Sequence, residues 1–144
     1  MIEPDTVKLL RECDAGIKMG VTAIDEVQDA VRSDQLRKLL LDGKADHEKL
    51  KEKIQVLLDR YQDDGKDPNP MAKGMSTMKT NVKMAVNYSD ATIADLMTDG
   101  CNMGVKSLAR YLNQYQAADE ETKNITEDLI CLEERMAVDL RAYL

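Results

Sequence analysis

The chain has 144 residues and a net charge of −7, with 33% charged and 43% apolar positions. That balance argues against intrinsic disorder, and no apolar run approaches the ~18 residues a membrane-spanning helix needs. The acidic excess argues against sequence-independent nucleic-acid binding, which depends on neutralising phosphates. Lys73, Lys79 and Lys83 gather some positive charge but read as one solvated helix face.

Taken in chain order, the N-terminus Met1-Ile2-Glu3-Pro4-Asp5 carries acids where a secretory signal needs bases, so a cytoplasmic location is expected. The first helix should begin after Asp5 or Thr6 and run over 6–32. Its apolar stripe is Leu10, Cys13, Ile17, Val21, Ile24, Val27 and Val31. Ser33 and Asp34 are candidate caps for a second helix over 34–62. There Leu36, Leu40, Gly43, His47, Leu50, Ile54, Leu57 and Tyr61 alternate steps of four and three, the seam of a bundle helix. So short a connection makes these two helices antiparallel neighbours.

Asp63-Asp64-Gly65-Lys66-Asp67-Pro68 is a breaker without an apolar anchor, and 63–69 is expected to be the most protease-sensitive interior site. Asn69-Pro70 then starts a short helix over 70–86, with Met71, Met75, Met78, Val82 and Val86 on one face. It reads as a crossover returning the chain to the end where the first helix began. The Met71, Met75 and Met78 face is a candidate surface for a symmetric homodimer. A third long helix over 90–117, capped by Ser89 or Asp90, and a fourth over 120–143 complete the chain. Their stripes are Ile93, Met97, Cys101, Val105, Leu108, Leu112, Tyr115 and Ile125, Leu129, Leu132, Met136, Leu140, Tyr143. No strand pattern is visible.

The two halves are related. Cys13-Asp14-Ala15-Gly16-Ile17-Lys18 returns as Cys101-Asn102-Met103-Gly104-Val105-Lys106, 88 positions later, and Leu36, Leu40, Gly43, His47 and Ile54 fall on Ile125, Leu129, Leu132, Met136 and Tyr143 at a shift of 89. The expected architecture is all-α, one domain over 1–144, with a helix pair at 5–62, a crossover at 63–89 and a second pair at 90–144. Two antiparallel pairs joined by a long crossover is the ferritin-like arrangement. The repeated Cys-Asp/Asn-x-Gly motif, preceded by Leu10 in the first helix, the His47 stripe and the crossover together resemble a group of uncharacterised bacterial proteins. That resemblance implies a ferritin-like four-helix bundle with no assigned activity.

Ferritin-like proteins with redox chemistry need two inward Glu residues and two Glu-x-x-His motifs. His47 stands at one histidine position, but Lys44 occupies its glutamate position. Glu133 is in place on the last helix, but Met136 stands where histidine belongs. The inward positions of the other two helices are Gly20 and Val21, and Gly104, Val105 and Leu108. With one histidine in the chain the motif cannot be completed. No nucleophile has a base partner, and no phosphate-binding glycine loop or Cys-x-x-Cys pair exists. Glu120-Glu121 and Glu133-Glu134 are expected to meet solvent.

His47 therefore reads as a neutral core histidine bonded to a backbone carbonyl, Asp or Tyr, whose replacement by Leu should cost ~1–2 kcal/mol. The sharper alternative is a soft-metal site drawing on His47, Glu133, Met136, Cys13 and Cys101. The cysteines are odd in number and sit in helical patterns, so free thiols are expected. Gly16-x-x-x-Gly20 and Gly100-x-x-x-Gly104 read as close backbone approach between the first and third helices, or else as a self-association surface or a cavity for a small molecule. The functional expectation is a non-enzymatic bundle without a cofactor or resident metal, acting through protein contacts or self-association. The alternatives are a metal-binding protein and a small-molecule carrier.

Overall fold

Proline opens the first helix because it has no amide to satisfy and its φ already suits the first turn. The structure, a computed structural model, describes residues 3–68 and 89–144. In it α1 spans Pro4–Val27, capped by Glu3, whose carboxylate accepts from the Asp5 amide at 3.4 Å. The helix then tightens into a 3-10 turn, Gln28–Ala30, and Val31 is extended. It thus starts and stops earlier than its apolar stripe implies. Ser33 caps α2 (Asp34–Arg60), Ser89 caps α3 (Asp90–Gln114) and Asp119 caps α4 (Glu120–Leu140), each side chain accepting the first free amides of its helix. A second 3-10 turn, Arg141–Tyr143, follows α4. The described residues contain no strand. The expected helix over 70–86, with its Met71, Met75 and Met78 face, lies outside the described residues.

The apolar stripes meet in one core. Leu9, Leu10, Ile17 and Ile24 of α1 and Leu36, Leu40, Ile54 and Leu58 of α2 are fully buried. Ile93 and Ala94 of α3 and Leu140 of α4 close the same core, with Leu129 almost fully buried. Each aliphatic side chain taken fully out of water contributes ~1.5–3 kcal/mol, so this seam holds the four helices together. α1 packs on α2 and α3, and α4 packs on α3 and α2.

Two polar clusters tie the ends and fix the topology. At one end the Asp5 carboxylate accepts from the Ala117 amide at 3.1 Å, and Thr6 Oγ1 accepts from the Asp119 amide at 2.9 Å. The residues expected to cap α1 are instead committed to the turn between α3 and α4. Asp119 also accepts from the Tyr61 hydroxyl at 3.2 Å, which brings in the end of α2. At the other end Asp90 accepts from the Arg32 and Ser33 amides at 2.8 and 2.9 Å. The start of α3 therefore lies where α1 finishes, not where it began. A crossover to the starting end would have put Asp90 out of reach of Arg32.

The segment after α2 is anchored, contrary to expectation. Asp14, buried on α1, accepts from the Lys66 amide at 3.0 Å, and Lys66 Nζ reaches Glu12 at 2.5 Å. Lys18 bonds Asp14 at 2.8 Å and Asp67 at 3.2 Å. Pro68 is buried, which the composition of 63–69 did not suggest. Gly65 has φ +82, and a Cβ on it would collide with the Asp14 carboxylate, so only glycine fits this turn.

Candidate functional site

The seam of α2 carries one polar residue, His47, 1% exposed at mid-bundle. Its Nδ1 lies 2.7 Å from the carbonyl oxygen of Gly43, one turn earlier on the same helix. That oxygen can only accept, so Nδ1 carries a hydrogen and donates. Its Nε2 lies 2.5 Å from Glu133 Oε1 on α4. With Nδ1 donating to Gly43, a ring that also carries a hydrogen on Nε2 donates it to the carboxylate in a charge-assisted hydrogen bond. Burial opposes charge on the ring. The hydrogen bond and charge of Glu133, the Gly43 carbonyl and nearby Asp46 outweigh it, and the His47 pKa stands above its ordinary 6.5. The backbone carbonyl expected as its partner is that of Gly43, and the second partner is Glu133 rather than Asp or Tyr, which favours the protonated ring. Glu133 was expected to meet solvent with Glu134, yet it is 9% exposed and turned inward, because His47 offers it a donor.

The glycines make this pair fit. A Cβ on Gly20 of α1 would lie 3.0 Å from His47 Nε2, and one on Gly104 of α3 would lie 3.4 Å from Glu133 Oε2. A Cβ on Gly43 would strike Met136, whose Cε and Sδ would be 2.7 and 2.8 Å away. Gly16 and Gly100 meet nothing within 4 Å among the described residues. The paired small-residue motifs therefore do not join α1 to α3. One glycine of each pair faces the polar centre, and the space between Gly20 and Gly104 is taken by side chains.

The other residues of the soft-metal alternative separate. Cys13 is buried further along α1, where its Sγ lies 3.2 Å from Thr126 Oγ1; burial pushes its thiol up to about 11. Cys101 does face Glu133, and burial together with that carboxylate pushes its thiol well up. Both thiols stay protonated at neutral pH and neither is an activated nucleophile or a ready ligand. Met136 covers Gly43, and Cys131 is exposed. So His47, Glu133 and Cys101 are brought together, Met136 borders them, and Cys13 stands apart. Among the described residues no group of three or more His, Cys, Asp or Glu side chains could hold a metal ion.

A di-iron centre does not fit these residues. It needs a carboxylate from each helix and two histidines. Here α1 and α3 present Gly20 and Gly104 to the centre. Lys44, in the helix 2 glutamate position, turns outward to Asp25 of α1 at 2.6 Å. Among the described residues, His47 and Glu133 form the hydrogen-bonded polar pair at this centre.

Among the described residues no helix is long and apolar enough to cross a membrane. No protein-family model matches the sequence, and no curated protein does. One solved structure is similar over nearly the whole chain, the crystal structure of a DUF305 fragment from Deinococcus radiodurans. It aligns with a TM-score of 0.76 at 11% identity, covering 98% of this chain and 95% of that one. The chain thus shares an all-helical fold with a fragment of an uncharacterised domain.

Proposed function

We propose that this protein is a metal-free, ferritin-like bundle of the bacterial cytoplasm that acts without catalysis, through contacts with other proteins or with a second copy of itself. The observation that carries the reading is the His47–Glu133 pair. It fills and neutralises the central position that ferritin-like enzymes give to iron, and the helices opposite offer it glycines. Two antiparallel pairs, with α3 starting where α1 ends, support the ferritin-like part of the proposal.

Metal analysis of protein purified without a histidine tag tests the reading. The expected result is less than stoichiometric iron, zinc or copper, with no change in melting temperature on adding a chelator. Light scattering over a range of concentrations tests the self-association, which would appear as a symmetric dimer. A second reading, a metal protein using His47, Glu133 and thiols, draws on the placement of Cys101 beside Glu133. Near-stoichiometric metal that survives dialysis and is lost in His47→Leu would favour it over the first.

A further inference from the structure

α2 and α4 run antiparallel at matched levels. His47 meets Glu133, a Cβ on Gly43 would strike Met136, and Arg60 Nη1 pairs with Glu121 Oε2 at 3.7 Å. Seven residues make nearly two turns, so positions seven apart share one line of a helix. From Arg60 that line on α2 runs back through Lys53 to Asp46, and from Glu121 the line on α4 runs on through Asp128 to Arg135. Three rungs of opposite charge therefore stand level: Arg60 with Glu121, Lys53 with Asp128, and Asp46 with Arg135. The last has its signs exchanged between the helices, which gives the face a definite order of charge.

Of these rungs the first is closed. At the level of the third, a groove of about 420 Å³ parts the helices, floored by Leu39, Gly43, Leu132 and Met136 and edged by Asp46 and Arg135. Among the described residues the side chains of Asp46, Lys53, Asp128 and Arg135 make no hydrogen bond or ion pair. Lys53, Asp128 and Arg135 are exposed and Asp46 is half-buried. The strap after α2 is bonded to α1, and none of it lines the groove.

We infer that two copies of the chain join through the α2–α4 face, about a two-fold axis parallel to the helices. Such an axis lays α2 of each copy along α4 of the other, antiparallel and at the same level. Each unpaired charge then meets its opposite. Arg135 faces Asp46 of the second copy, Lys53 faces Asp128 of the second copy, and the symmetry makes each contact twice. The two grooves come face to face, enclosing their apolar floors behind these charges. A partner with another order of signs would set like charges together, so the face selects its own copy.

The inference rests on the self-association part of the proposed function, and the experiment separates the two. Full-length wild type, Arg135→Glu and Asp46→Lys are compared by sedimentation over a range of concentrations. The wild type should dimerise, and each variant alone should do so at least ~100-fold more weakly, because like charges then oppose one another at both symmetric contacts. An equimolar mixture of the two variants should recover to within about tenfold of the wild type, because the reversed arginine of one meets the reversed aspartate of the other. A wild-type dimer that neither variant weakens overturns the inference and leaves the self-association reading standing. Weakened variants that fail to associate when mixed also overturn it. A wild type that stays monomeric throughout overturns both. Should Asp46→Lys lose its helical far-UV circular dichroism, Lys53→Glu and Asp128→Lys, at exposed positions, carry the same test with the same outcomes.

Discussion

Gly20 lies against the His47 ring so closely that a methyl group in place of its hydrogen would stand 3.0 Å from Nε2. The ring cannot turn aside, because Gly43 and Glu133 hold its two nitrogens. Gly20→Ala should therefore destabilise by ~1–3 kcal/mol through overpacking, although alanine gains ~1 kcal/mol of helix propensity. Gly16→Ala, with nothing among the described residues to strike, should instead gain up to ~1 kcal/mol. Urea unfolding of both variants checks the contrast. Equal effects would mean that the His47 ring yields.

The pair should behave as a buried charge pair. Removing one partner leaves the other uncompensated. His47→Leu is thus expected to cost ~3–5 kcal/mol, more than a neutral core histidine would. His47→Leu/Glu133→Leu removes both charges and should recover most of that loss, since well-packed apolar residues often replace such pairs at no net cost. A double-mutant cycle completed with Glu133→Leu measures the coupling. A coupling near zero would show that His47 and Glu133 do not stabilise the bundle as a pair.

The helices and the α2 seam were legible because regular spacing is local: Leu36, Leu40, Gly43, His47, Leu50, Ile54 and Leu57 all turn out buried. Glu133 was misread because its partner is 86 residues away and it stands beside the exposed Glu134. The internal repeat aligned Gly16 with Gly104, whereas the centre uses Gly20 with Gly104. Small residues report that something comes close, not what it is. Asp14 reads as one more charge in a repeated motif until Lys66 folds back on it, a contact that local spacing cannot reveal.

Alkaline pH should weaken the bundle through His47. Its folded pKa lies above the ordinary 6.5, so the stabilisation is fully present below 6.5. It is lost as pH rises through the raised folded value, where the ring gives up its proton and Glu133 loses its donor. Thermal melts of the wild type and His47→Leu/Glu133→Leu across this range check the sign. The advantage of the wild type should shrink, or its deficit grow, as pH climbs. A difference that is flat with pH or moves the other way would place the His47 pKa at or below its ordinary value.

Lys66 offers the most direct test of the strap along α1. Its amide donates to the buried Asp14, its ammonium pairs with Glu12, and the adjacent Asp67 pairs with Lys18. Trypsin must pull this segment free before it can cut after Lys66, so its rate there reports the local opening equilibrium. Asp14→Ala removes the acceptor for both Lys66 and Lys18, each a bond to a charged group of the kind worth ~1.5–3 kcal/mol. Since ~1.4 kcal/mol is a factor of ten in population, cleavage after Lys66 should accelerate by at least about tenfold. Global stability should fall far less, because the apolar seam of the four helices is untouched. Gly65→Ala should act in the same direction, straining the turn at φ +82 and driving a methyl group into the Asp14 carboxylate. Raised salt should speed cleavage of the wild type modestly by screening the exposed Lys18–Asp67 contact, and leave Asp14→Ala less affected. Unchanged cleavage in both variants would mean that buried Pro68, rather than Asp14, holds the strap down.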